Sequence, residues 1–140
     1  MKRGNILLVD DDPGFLMALT KMLLKQGYEV TGTANPAAAL EAIQGQNQGV
    51  DLVVTDLSMP ETSGRTLLNA IKTAFPRTEV IVITAFGDEL AKSNAIRDGA
   101  YAFVDKPLDP PEFLGLVERA IGANLLSKEN PFGELNKPEP

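Results

Sequence analysis

A chain of 140 residues, 44% of them hydrophobic, has room for one domain that buries on the order of two-thirds of its unfolded surface. No apolar stretch nears the ~20 residues that span a bilayer, and residues 1–5 run into an apolar strand pattern rather than a signal-peptide core, so a cytoplasmic protein is expected. The absence of Cys and His removes disulfides, the usual zinc and iron ligands and the commonest general base, and a net charge of -6 argues against a direct nucleic-acid surface.

The first element is the apolar run Ile6-Leu7-Leu8-Val9, which reads as a buried parallel strand. Asp10, Asp11 and Asp12 follow it directly, and then comes Pro13, a residue favoured at the first position of a helix, which makes Asp12 the N-cap. The helix from Pro13 to Gln26 sets Phe15, Leu16, Leu19, Met22 and Leu23 on one stripe and stops at Gly27. A second strand spans 29–33, and Asn35-Pro36 opens a second helix as Asp12-Pro13 opens the first. A third strand, 52–55, ends at Asp56, and a helix over 64–74 carries Leu67, Leu68 and Ile71 and stops before Pro76. The fourth strand, 80–83, ends at Thr84. The helix after it, 88–98, has only Leu90, Ala91, Ala95 and Ile96 as apolar anchors and is expected to be the loosest. The fifth strand, 102–104, ends at Asp105 and Lys106, and Asp109-Pro110-Pro111-Glu112 resembles a capping box opening a last helix through Phe113, Leu114, Val117, Ala120 and Ile121. Residues 127–140 bring Pro131, Pro138 and Pro140 with no periodicity, so the expected division is a folded domain over 1–124 and a flexible Pro-rich tail or linker over 125–140.

Strands alternating with helices over short connections imply an α/β fold: a doubly wound parallel sheet covered on both faces, with right-handed crossovers. Ligands in such sheets bind at the carboxyl ends of the strands. The polar residues gathered there are Asp10, Asp11 and Asp12, then Asp56, Thr84, and Asp105 with Lys106, whereas the second strand ends only in Thr31, Gly32 and Thr33 and is expected at an edge. Clustered carboxylates repel by roughly 4 kcal/mol per pair at ~4 Å in an effective dielectric of ~20. A cation is therefore expected among them, and hard oxygen ligands suit Mg²⁺. Each residue also has a plainer reading: Asp12 as a cap, Asp56 as a turn former, Thr84 as a β-branched strand residue and Lys106 as a surface lysine. Together they are what phosphoryl chemistry on a carboxylate requires, namely metal ligands, a nucleophile, a hydrogen-bond donor and a fixed cation.

The ordered set Val9-Asp10-Asp11-Asp12-Pro13, Thr55-Asp56-Leu57-Ser58-Met59-Pro60, Thr84-Ala85, Gly99-Ala100 and Lys106-Pro107 resembles the receiver domains of two-component response regulators over about residues 4 to 124. That resemblance implies a flavodoxin-like sheet of five strands in the order 2-1-3-4-5, flanked by five helices. It implies that Asp56 is the phosphoacceptor for a sensor histidine kinase or phosphotransfer protein, and that the domain is not an enzyme beyond phosphotransfer to itself and loss of that phosphoryl group. Asp11, Asp56 and the Ser58 backbone carbonyl would ligate Mg²⁺, with Mn²⁺ as a substitute, and Asp10 would act through water. Thr84, Ala85 and Lys106 would hold phosphoryl oxygens, and Lys106-Pro107 would be cis. Thr84 and Phe103 would form the switch that reshapes the surface of the fourth helix, fifth strand and fifth helix, for a downstream output domain, a partner protein or a second copy. Ser58 and Phe86 would set the phosphoryl lifetime, with apolar Phe86 hindering the hydrolytic water.

Two other readings compete. The Asp-x-Asp within residues 10–12 also resembles haloacid dehalogenase-like phosphatases, but Gly14 stands where that family wants Thr or Val, and Lys92 where its later Asp belongs. A phosphate-independent interaction module is disfavoured because every phosphorylation residue is present.

Overall fold

The computed structural model of the chain describes residues 3–45, 50–56, 64–85 and 89–129, and of these the side chains of 36, 64, 65 and 123–129 lie outside the description. Ten elements alternate along it: β1 (Asn5–Val9), α1 (Pro13–Lys25), β2 (Glu29–Thr33), α2 (Pro36–Gln44), β3 (Leu52–Asp56), α3 (Gly64–Ala74), β4 (Glu79–Thr84), α4 (Glu89–Arg97), β5 (Ala102–Asp105) and α5 (Pro110–Glu129). The five strands form one parallel sheet in the order β2-β1-β3-β4-β5. This is the doubly wound, flavodoxin-like arrangement expected from the sequence, with β2 at one edge.

The near-continuous apolar runs become strands because both faces of the sheet are covered. Strand alternation sends Ile6, Leu8, Leu52, Val54, Ile81 and Ile83 toward α1 and α5, where they meet Leu19, Leu23, Phe113, Val117 and Ala120. Leu7, Val9, Val53, Val80 and Val82 point the other way, toward Ala39 and Ile43 of α2, Leu67, Leu68 and Ile71 of α3, and Ala95 of α4.

Helix starts follow the capping residues. Asp12 accepts hydrogen bonds from the backbone N–H groups of Gly14 and Phe15, and Asn35 accepts from Ala37 and Ala38. Asp109 accepts from the Glu112 N–H at 3.2 Å. Helix α1 ends in a Schellman turn: the Tyr28 N–H donates to the Leu23 carbonyl and the Gly27 N–H to the Leu24 carbonyl, with Gly27 at φ +95°. An L side chain is strained there, so Gly27→Ala is expected to cost about 1 kcal/mol, read from the urea midpoint.

Helix α4 departs from the expected packing. Of its four apolar anchors only Ala95 is buried, while Leu90 is 70% exposed and Ile96 is 45% exposed. The apolar residues of α4 thus mark an outward face as much as an inward one, which weakens its attachment further than a count of apolar residues conveys.

Candidate functional site

The sheet order brings the carboxyl ends of β1, β3, β4 and β5 side by side, and strand alternation decides which side chains meet. Asp10 continues the 6, 8 series of β1, Asp56 the 52, 54 series of β3, and Lys106 the 102, 104 series of β5, so all three fall on the α1/α5 side. Thr84 continues the 80, 82 series on the opposite side, where Phe103 also packs. Val82 and Phe103 are directly paired, as are Thr84 and Asp105, so the two expected switch residues share a face and stand diagonally across adjacent strands, two register positions apart.

Asp10 and Asp56 are buried, at 4% and 8% exposure, and Asp11 is exposed. One carboxylate oxygen from each of the three lies within 4.8 Å of the others. Lys106 reaches across from β5 and donates to Asp10 Oδ2 at 3.0 Å and to Asp56 Oδ2 at 3.3 Å. The other oxygen of Asp10 accepts from the Asp12 N–H at 2.8 Å. The turn that starts α1 therefore also orients Asp10. The Lys106-Pro107 bond is cis, and the Lys106 N–H donates to the Thr84 carbonyl at 2.9 Å.

Burial raises the Asp10 carboxyl above its usual range. The Asp12 N–H and Lys106 pull it back only in part, and the neighbouring Asp56 adds to the rise. Burial works against the Lys106 ammonium too, but its hydrogen bond to Asp10 and the charges of Asp10 and Asp56 outweigh that, and its pKa rises above the ordinary lysine value. Burial thus dominates at Asp10, with Asp56 a smaller addition, whereas at Lys106 the two acids win over burial.

Three carboxylates against one ammonium leave a formal surplus of two negative charges in this cluster. That surplus, carried by hard oxygen donors at one rim, fits a divalent ion such as Mg²⁺. The folded-state pKa of Asp10 lies above that of an unfolded carboxyl, so ionised Asp10 costs stability at neutral pH, and the cost fades as pH falls through the folded-state value. Asp10→Asn is therefore expected to melt several degrees above the parent at about pH 7 without divalent ions, with the gap closing under acid. The same variant should respond less to added Mg²⁺. A melting point at or below the parent's at neutral pH would contradict the crowding.

Thr84 is buried at the end of β4, Ala85 is exposed just beyond it, and Phe103 is half-buried on β5. Ser58 and Phe86 lie outside the described residues. One neighbour of the site was read in the sequence only as core: the Phe15 ring, whose centroid is 4.1 Å from Lys106 Nζ. Its place on the apolar stripe of α1 hid this, because the lysine it meets is 91 residues away (106 minus 15) and only the sheet order joins them.

Residues 6–118 match the family model described as the response regulator receiver domain. The chain belongs to the response regulator receiver domain family. Such a domain is a phosphoacceptor regulatory module rather than an enzyme, and phosphorylation-dependent signalling is its class of function. The receiver domain is 35% identical over 138 residues to the DNA-binding transcriptional regulator NtrC of Escherichia coli strain K12, covering 99% of this chain and 29% of that protein. The chain thus spans less than a third of the length of the curated relatives it matches. Among solved structures, a response regulator receiver domain protein from Clostridium thermocellum superposes with a TM-score of 0.82 at 29% identity, covering 87% of this chain and 97% of that one. The beryllofluoride-activated NtrC4 receiver domain dimer superposes with a TM-score of 0.81 at 29% identity, covering 86% and 98%. The acidic triad is of the kind that holds Mg²⁺ in this family. Among the described residues, no helix is long and apolar enough to cross a membrane.

Proposed function

We propose that this receiver domain takes a phosphoryl group on Asp56 from the phosphohistidine of a sensor histidine kinase or phosphotransfer protein. The observation that carries this is the meeting of Asp10, Asp11 and Asp56 with Lys106 at the carboxyl rim of the sheet. A carboxylate oxygen of Asp56 attacks phosphorus, the P–N bond breaks, and its electron pair leaves with the imidazole nitrogen of the donor. The attacking atom is a carboxylate oxygen, so no hydroxyl or thiol proton has to be removed and no general base is called for. The missing histidine is supplied by the donor.

Asp11, Asp56 and the Ser58 carbonyl would hold Mg²⁺ or Mn²⁺, with Asp10 acting through water. When bound, the ion neutralises charge on the transferring group. The Lys106 ammonium would exchange a carboxylate partner for a phosphoryl oxygen, and Thr84 and the Ala85 N–H would donate to the others. Phosphorylation adds roughly -1.5 to -2 charges, and Thr84 turning toward them would free space for Phe103, which packs on the same side of the sheet. Exposed Leu90 and Ile96 on α4 make a surface suited to respond. Ser58 and Phe86 would tune phosphoryl lifetime.

The proposed unit is a receiver over residues 1–124, working in the cytoplasm, with a linker over 125–140 that begins as the last turn of α5, up to Glu129. The names of the relatives point to transcription as the readout, carried by an output segment rather than by this acidic domain, and the NtrC4 dimer supports pairing of two copies. Incubation with radiolabelled acetyl phosphate and Mg²⁺ tests the chemistry. The expected result is one acyl phosphate per chain, released by hydroxylamine. Steady turnover of phosphate esters without label would return the reading to a phosphatase, and neither label nor turnover to a phosphate-independent module.

A further inference from the structure

We propose that Phe15 is the positioning residue for Lys106: the face of its ring holds the ammonium over Asp10 and Asp56. The Nζ atom lies 4.1 Å from the ring centroid while donating to the two carboxylates at 3.0 and 3.3 Å. An ammonium has three donors and a compact charge. Two of the donors are engaged by the acids, and the ring quadrupole attracts the charge without adding an anion that a phosphoryl oxygen would have to displace. With 18% of the lysine side chain exposed, the ring also replaces water that would otherwise compete for the charge.

The ring is held from its own side. Its backbone N–H donates to Asp12 Oδ1 at 3.3 Å, and the side chain packs against the cluster of Leu19, Leu8 and Val54. Asp12 thus links two supports of the site: its N–H orients Asp10, and its carboxylate fixes the turn that carries Phe15. Phe15 also stands between the small cavity beside Asp10 and Asp56 and an apolar groove of about 460 Å³ that reaches Met22 and Leu108. A flexible lysine stem given one neutral, immobile rest loses less freedom when it must find the phosphoryl oxygen.

The kinetic part of this inference rests on Asp56 being the phosphoacceptor. The test is a series of parent, Phe15→Leu, Phe15→Tyr and chains carrying Phe with one, three or five ring fluorines at position 15, each checked for melting temperature. Fluorination drains the ring quadrupole at nearly constant shape. Two quantities are read: the ring-current displacement of the Lys106 ε-methylene protons without phosphodonor, and the labelling rate with acetyl phosphate. The expected result is a displacement present in the parent and Tyr chains and lost in Phe15→Leu, with labelling slowed about fivefold in Phe15→Leu, largely restored in Phe15→Tyr, and falling stepwise with fluorine number. A flat response to fluorination, or full activity with five fluorines, overturns the inference and leaves packing as the role of Phe15. If the parent takes no label but the displacement follows the ring, the phosphoacceptor reading fails while the contact stands. If the displacement is absent in the parent, the positioning role fails whatever the labelling shows.

Discussion

Lys106→Met is expected to destabilise the cation-free protein by about 3 kcal/mol at neutral pH, because it removes the charge shared by two buried carboxylates. The methionine keeps most of the stem's volume, so the loss measures charge rather than packing. Two conditions should return part of it. Mg²⁺ replaces the missing positive charge, and acid protonates Asp10, whose carboxyl already sits above its ordinary range. In an Asp10→Asn background the same lysine change should cost distinctly less, since one of the two stranded acids is gone. Urea midpoints across this cycle decide the matter. A lysine variant as stable as its parent, insensitive to Mg²⁺, would mean that the acids are not crowded enough to matter.

Asp56→Asn is expected to reduce labelling from acetyl phosphate to below about one-hundredth of the parent rate, since the amide offers no anionic oxygen to attack phosphorus. The same variant should be at least as stable as the parent without divalent ions, because it lowers the negative surplus around Lys106 from two charges to one. Loss of label together with retained stability separates a chemical role from a structural one. Substantial label in the asparagine chain would move the phosphoacceptor elsewhere.

Much of this domain is legible in the sequence for a simple reason: the central strands β1, β3 and β4 are buried on both faces, and helices α1, α2 and α5 carry their own start signals. Runs such as Ile6-Leu7-Leu8-Val9 are short and bounded by polar residues, which favours a covered strand over a buried helix, and Asp12, Asn35 and Asp109 each cap the helix they precede. In α4 the thin anchoring is legible but the direction of its apolar residues is not. Periodicity reports that a face is apolar and says nothing about whether another element covers it, so Leu90 and Ile96 read as anchors although they point outward. Phe15 packs against the core as its stripe indicates, but its contact with Lys106 is not legible, because that neighbour comes from the far end of the chain.

Local chemistry along the chain by itself determined the order of elements, the rim on which the polar residues fall, and that Asp10, Asp11, Asp56, Thr84 and Lys106 are among the residues at that rim. Those properties depend on residues near one another in sequence: apolar runs, caps and the residue that ends each strand. Which carboxylate Lys106 grips, that Asp10 and Asp56 share it, that Phe15 lies beneath it, and that Thr84 and Phe103 occupy the opposite side were decided only when β1, β3, β4 and β5 packed in that spatial order. Strand alternation then turns a position number into a side of the sheet, and pairing turns distant positions into neighbours a few ångströms apart.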